Sequence, residues 1–442
     1  MNIREFSDRV LAAAKAAGID PAEVSSSSSE SFSARARLGK LENYQVSDRL
    51  SVTLRGRANG RIGTASTQAM DEESIEMLVR GVIESAELIE IDEQDEILPP
   101  DAHYETVVNK KPELENVTAA EKIALAMELD RIVTSGDSRI TPQYATVASG
   151  SETYALRNSL GLDLAHESNM IYAYTSVVAK EAERTATGMQ LLWGYGMEDV
   201  PADKIAGDAI EDALSKVNAG RMKSGAYPVV IKNGAMADLL TTFCGVLSAD
   251  NAQKGLSLLA GREGEKVASE KLTLVDDPLM PWGLGSCPFD REGAATYKKN
   301  VIENGVLTTL LHNRKTAKKA GVKTTGNAAG GGRVAPSNLY IAPGKYTEEE
   351  LFAQMGDGLY LTEVSGLHAG ANAVSGDFSL LSRGFEVKEG KKVRAVEQFT
   401  VAGNFYKLLE SIEAVGNDLI FEGSPIGSPS VRVTGLSVAG EN

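Results

Sequence analysis

Hydrophobic residues first recur at helical spacing. Phe6, Val10, Leu11 and Ala14 share one face of Arg4–Ala17, and Gly18 and Pro21 close that helix. Alternation begins soon after, at Phe32, Ala34, Ala36 and Leu38, and predicts a strand. The run Ser25–Ser29 ahead of it reads either as a linker or as the opening of that strand. Further strands are predicted at Leu41–Val46, Leu50–Arg57 and Arg61–Ser66, with turns at Gly39-Lys40 and Asn59-Gly60. A helix over Asp71–Ile89 buries Ile75, Leu78, Val79, Val82 and Ala86. Residues Glu90–Lys111 are acidic and proline-bearing and read as a connection. Then come a helix (Thr118–Val133), a strand-rich block (Gln143–Tyr195) and another helix (Ala202–Ala219). Turns inside the block are expected at Ser149-Gly150, Asn158–Gly161 and Glu181–Arg184. Several strands followed by a helix thus occur twice, an order compatible with a degenerate duplication.

A boundary is expected at Gly220–Gly225, dividing the chain into 1–222 and 223–442. Beyond it, the strand Tyr227–Ile231 and a turn at Asn233-Gly234 lead into a helix with Met236, Leu239, Leu240, Phe243, Cys244 and Leu247 at clean helical spacing. The remainder is mostly extended. Strands are predicted at Lys271–Val275, Tyr297–Glu303, Val306–Leu311, Leu359–Val364, Asp377–Val387, Lys392–Val396 and Ser430–Val438. Short helices are predicted at Arg314–Ala320 and Thr347–Gln354, the second with the Thr347/Glu350 spacing of a capping box. The fold class is therefore α+β: a mixed sheet-and-helix N-terminal domain, then a strand-rich C-terminal domain with a barrel-like reading.

Three stretches are distinctive: Gly370–Ser379 (Gly-Ala-Asn-Ala-Val-Ser-Gly-Asp-Phe-Ser) with Gly384–Val387, Val401–Asn404, and Val415–Asp418. In this combination the chain resembles the TldD/PmbA family, also labelled modulators of DNA gyrase, and within it the PmbA (TldE) branch. The resemblance implies a metallopeptidase-family fold. It also implies a zinc helix of the form His-Glu-x-x-x-His in TldD-type members, with a cysteine ligand near the C-terminus. Alignment places the three motif positions on Thr241, Thr242 and Val246. Residues 235–255 contain neither histidine nor glutamate. The segment Phe421–Ser430 stands where the cysteine would be. Hydroxyl and valine side chains do not replace imidazole and thiolate as zinc ligands. The resemblance therefore implies a subunit without its own cofactor, inactive until joined by a zinc-bearing TldD-type partner, and a homodimer when alone.

Other candidates come from the residues themselves. Glycines at 366, 370 and 376, and the loop Thr325–Arg333, suit walls that accept an extended peptide, with Gly326, Asn327, His368, Asn372 and Asp377 as the peptide-binding candidates. The Thr325–Arg333 loop lacks the Lys-Ser/Thr of a phosphate-binding loop. His312 and His368 with Asp377 would make a two-histidine, one-carboxylate site if the fold brought them together. Cys287 is a candidate nucleophile without a histidine near it in sequence. His166-Glu167 is half of a zincin motif, but it stands on a predicted strand with Met170 at the second histidine position. His103 reads as solvated, Asp276-Asp277 and Asp290 as turn caps, and Trp282 as a groove or core residue. An autonomous unconventional peptidase and a non-catalytic peptide-binding protein stay open beside the subunit reading.

Charge and composition narrow the partners. The chain of 442 residues carries 61 acids against 45 bases, a net charge of −16, which repels a nucleic-acid backbone. The cluster at His312–Lys319 reads as a solvated helix face. No apolar run reaches the ~20 residues of a membrane span. The N-terminus has no signal-peptide core, so the expected location is cytoplasmic. Two cysteines, Cys244 and Cys287, make neither a disulfide framework nor a zinc cluster.

Overall fold

The computed structural model describes residues 2–90 and 95–441. Its first half uses one order of elements twice. Helix α1 (Ile3–Ala16) precedes strands β1 (Ala22–Arg37), β2 (Lys40–Ala58) and β3 (Arg61–Thr67), and helix α2 (Glu72–Leu88) follows. After the single turn α3 (Pro112–Glu115), the order repeats. It runs through helix α4 (Ala119–Thr134), strands β4 (Ile140–Asn158), β5 (Asp163–Glu181) and β6 (Arg184–Gly194), and helix α5 (Ala202–Val217). The six strands form one sheet in the order β3-β2-β1-β4-β5-β6. The two halves meet where β1 pairs antiparallel with β4, so the sheet has pseudo-two-fold order about that seam. The predicted connection from Glu90 falls partly on residues 91–94, which lie outside the described residues.

Each half buries its own core. Phe6, Val10, Ile75, Leu78 and Val82 from α1 and α2 pack on Val52 and Leu54 of β2. Leu129, Val133, Ile205 and Ala209 from α4 and α5 pack on Val147, Ile171 and Val177. The predicted turn at Ser149-Gly150 does not form. Gly150 lies opposite Ser31 on one side and Met170 on the other, so both edges of β4 are hydrogen-bonded and the strand continues. For the same reason Ser25–Ser29 lie within β1, and the two strands predicted over Leu41–Arg57 are one. A turn signal yields where neighbouring strands satisfy the backbone on both sides.

The second half begins with β7 (Gly225–Ile231), helix α6 (Asn233–Phe243) and the short helix α7 (Ala249–Gln253). Asn233-Gly234 is the first turn of α6 rather than a separate turn. Then follow β8 (Leu274–Asp276), β9 (Lys299–Glu303), β10 (Val306–Leu307), α8 (Arg314–Ala320), β11 (Leu339–Ile341), α9 (Glu348–Met355), β12 (Gly358–Ser365) and the turn α10 (Leu367–Gly370). The chain ends with β13 (Asp377–Lys388), β14 (Lys391–Asn404), α11 (Phe405–Glu410), β15 (Ile412–Val415), β16 (Ile426–Gly427) and β17 (Val431–Ala439).

Strands β14, β13, β12, β7 and β17 pair in that order, and β14 pairs back to β17 through Thr400–Ala402 and Ser437–Ala439. That pairing closes a five-stranded barrel, so the molecule is α+β with a barrel in its C-terminal region. A smaller sheet, β10-β9-β8-β11-β16, packs beside it. The Thr347 capping box forms as its spacing predicts. Among the described residues no helix is long and apolar enough to cross a membrane.

Helix α6 anchors the barrel core. Phe243 is fully buried and stacks on Phe405 with ring centroids 4.6 Å apart, next to Phe378. Truncating a buried aromatic removes transfer energy and leaves a cavity. Phe243→Ala is expected to lower unfolding free energy by about 3–5 kcal/mol in a urea titration. Thr242→Ala on the same helix should stay within roughly 1 kcal/mol of the parent.

Candidate functional site

Two segments far apart in sequence are clasped together at the start of α6. The Asn233 amide donates to the Asp418 backbone oxygen at 3.0 Å and to its carboxylate at 3.1 Å. The Ser430 hydroxyl donates to the same carboxylate at 2.7 Å, and the Ser430 N–H donates to it at 2.9 Å. Glu422 lies against Gly234, where an added Cβ would sit 2.8 Å from its carboxylate. The first turn of helix α6 and the loop 417–430 therefore meet at one locus.

The positions aligned to the zinc motif lie further along the chain, and their side chains are spoken for. The Thr241 hydroxyl donates to Ala237 O and the Thr242 hydroxyl to Asp238 O, each at 2.8 Å within their own helix. Val246 is buried in the barrel core. A hydroxyl turned onto its own helix and a buried valine are not zinc ligands. Among the described residues no group of three or more His, Cys, Asp or Glu could hold a metal ion. What the locus does hold is acid. The Asp238 carboxyl is pushed up to about 6, first by partial burial and then by the negative charges of Glu422 and Glu363.

A cavity of about 330 Å³ opens between β4 and β5 of the N-terminal sheet and loops of the C-terminal half. Glu152, Tyr154 and His166 form one wall; Cys287, Asp290 and Arg291 form the other. Tyr154 stacks on Phe289 at 6.0 Å, with the Arg291 guanidinium 3.9 Å from the Tyr154 ring centre. Cys287 and His166 share this cavity, although nothing in their sequence spacing announces it. Burial pushes the Cys287 thiol up to about 11, which keeps it protonated near neutral pH and a poor nucleophile. Burial holds the His166 ring below its usual range, against a backbone hydrogen bond to Ser286 that raises it. Asp290 is pushed up to about 6 by burial and then by Glu292, while the N–H groups of Ala328, Ala294 and Glu292 oppose that rise.

The peptide-binding candidates fall into two places. Gly326 lines the cavity with φ +68°, where an added Cβ would meet Ala295 O at 3.0 Å. Asn327 lines it too, but its side chain is fully committed. The amide donates to Asp276 at 2.8 Å and to Ala335 O at 3.1 Å, and its oxygen accepts from Thr325 and from Lys299. Lys299 and Asp276 form a buried ion pair at 2.9 Å. Asp276 is thus a core charge rather than a turn cap. Asp290 does cap a turn, through Glu292 N and Ala294 N.

His368 and Asn372 lie elsewhere, on the exposed segment between β12 and β13, and Asp377 is the exposed first residue of β13. The Asn372 side chain accepts from Val374 N and Ser375 N, so it shapes that loop. Asp377 accepts from the Asn404 amide at 2.8 Å, which with Ser375 holds its carboxyl below the usual range. His312 is buried, and its ring is held below the usual range by that burial. The two histidines and Asp377 therefore do not form a metal cluster. Trp282 is half-exposed at φ +58°, its ring 4.8 Å from Tyr195. Beside it the Trp193 indole donates to Phe421 O at 2.7 Å, joining β6 to the clasped loop.

Comparison with known proteins covers nearly the whole chain. Residues 22–86, 112–217 and 224–440 match the models for domain 1, the central domain and the C-terminal domain of the PmbA/TldA metallopeptidases. The Escherichia coli O157:H7 metalloprotease PmbA is 27% identical over 431 residues, covering 96% of this chain and 93% of that protein. A Thermotoga maritima crystal structure, described as a candidate modulator of a DNA gyrase, superposes with TM-score 0.93 at 33% identity, covering 99% of this chain and all of that one. The TldE structure from Thermococcus kodakarensis shares the fold at TM-score 0.89 and 22% identity, covering 98% of this chain.

The Asp238 shift carries a sign. Its folded value, about 6, lies above the ordinary 3.8, so folding disfavours the charged form. The group's contribution to stability is complete below about pH 4 and is lost as pH rises through about 6. Asp238→Asn should therefore melt higher than the parent near pH 8 and level with it near pH 4 in thermal scans.

Proposed function

The chain belongs to the PmbA/TldD metallopeptidase family, and from that premise we propose that it is the PmbA/TldE-like subunit of a cytoplasmic TldD–TldE-type peptidase acting on unfolded peptides. The partner of the TldD type carries the zinc and cuts. One observation carries this reading: at the locus of the zinc helix, Thr241 and Thr242 hydrogen-bond their own helix and Val246 is core. The start of the same helix is held to the loop 417–430 by the Asn233–Asp418–Ser430 clasp.

This chain's own residues supply shape and binding. An extended peptide has unpaired backbone donors and acceptors, and strand-like walls with glycine-lined approaches satisfy them by β-augmentation. Gly326 at the cavity and the exposed loop bearing His368, Asn372 and Asp377 are the surfaces offered to it. Asn327 acts indirectly, by holding its loop through Asp276 and Lys299. The cavity's thiol and imidazole do not favour independent cysteine chemistry, because burial keeps Cys287 protonated. The net charge of −16 gives no support to direct contact with DNA.

The test is metal content and peptidase activity in one sample. Purified alone, the chain is expected to contain almost no zinc by elemental analysis and to leave an unfolded protein uncut. Co-expressed with a TldD-type partner, it should co-purify in a complex that cuts and is stopped by a chelator. Stoichiometric zinc with chelator-sensitive cleavage by the chain alone would overturn the proposal.

A further inference from the structure

The cavity between β4, β5 and the C-terminal loops has two polar atoms in its lining residues that nothing satisfies. Asn109 is 2% exposed, and among the described residues its side-chain Oδ1 has no hydrogen-bond partner. Neither does Nε2 of His166. Both residues line the cavity. They are neighbours: Asn109 bridges Ser168, two residues beyond His166 on the same face of β5. Unpaired buried acceptors are costly and rare in native structures, so two side by side in one cavity point to a missing donor.

Nearby bonds fix both atoms as acceptors. The Asn109 amide nitrogen donates to Ser286 O at 3.1 Å and faces Gly283 O at 3.5 Å. Two carbonyls hold the NH2 end, so the free end is the oxygen. The His166 ring also donates to the Ser286 backbone, and burial keeps the ring neutral near pH 7, so Nε2 keeps its lone pair. Glu152 supplies a third acceptor beside them, directly opposite Ser168 on β4. It takes the Ser27 hydroxyl at 3.1 Å and Arg291 at 3.3 Å, both on Oε1, which leaves Oε2 open.

Three neighbouring acceptors match a group with three donors and no acceptor, which is a primary ammonium. The charge agrees: Glu152 and Asp290 outweigh Arg291 among the charged lining residues. Leu284, Ala329, Pro336 and Pro425 add apolar lining for a side chain next to the amine. A volume of about 330 Å³ is at the small end of ligand pockets and suits one residue rather than a long segment. We propose that this cavity binds the free N-terminus of a peptide, with Asn109 Oδ1, His166 Nε2 and the Glu152 carboxylate accepting its three N–H bonds. The inference rests on the reading that the chain meets unfolded peptides, and it needs neither the partner nor zinc.

Isothermal titration of the full chain near neutral pH tests it. Phenylalanine amide is expected to bind saturably, and N-acetylphenylalanine amide about tenfold more weakly or worse. n-Butylamine, which carries a lysine-like ammonium without the neighbouring amide, should also bind more weakly. Glu152→Gln and His166→Phe should each weaken phenylalanine amide by about tenfold while the melting temperature stays near the parent's. Where a variant fails to fold, the acetylated pair still decides. Equal binding of the acetylated amide, or no binding of phenylalanine amide, would overturn the proposal. So would folded variants that bind as the parent does. Butylamine matching phenylalanine amide would assign the site to lysine side chains and overturn the N-terminal assignment. All of these readouts come from the isolated chain, so their failure is distinct from a failure of the zinc and co-purification test.

Discussion

The antiparallel pairing of β1 with β4 is the constraint on which the rest depends. It runs from Glu23 opposite Asn158 to Ala36 opposite Ala145 and fuses two helix–strand–strand–strand–helix halves into one sheet. Helices cover only part of strands this long. The uncovered part of β4 and β5 brings Glu152, Tyr154 and His166 to the C-terminal half and becomes a cavity wall. The uncovered part of β2 is left at the sheet's edge. One seam thus places both the cavity and the open strand.

In the C-terminal half the hydroxyls of α6 turn onto their own helix, and the valine just beyond it enters the barrel core. Barrel closure through β14 and β17 fixes α6, and the Asp418 clasp fixes the loop beside it. At that locus a hydroxyl satisfied by its own helix costs little, whereas an unpaired buried ligand would carry a desolvation penalty. Valine at 246 adds apolar burial to the core. The acids that remain, Asp238 with Glu422 and Glu363, repel one another enough to raise Asp238.

Buried charge does a different job at the cavity. Lys299, Asp276 and Asn327 form a closed set in which each polar group has a partner. A charge pair this deep survives only when its remaining donors and acceptors are satisfied, and Asn327 and Ser337 N complete that for Asp276. The loop Thr325–Arg333 is therefore pinned at its start, and its glycines Gly326 and Gly330–Gly332 all take positive φ.

Much of this protein was written in local sequence. The helices α1, α2, α4, α8 and α9 announce themselves through one-sided apolar spacing and capping residues, because both act within a few turns. The motif glycines and their neighbours pointed to the family. Other features depended on pairing between distant segments. Continuity of β4 through Ser149-Gly150 came from neighbours on both sides. The burial of Asn327 and Asp276 came from Lys299, and the meeting of Cys287 with His166 came from the packing of the two halves. Periodicity and capping report a residue's own turn or pleat; partners, burial and electrostatic environment are set by what folds against it.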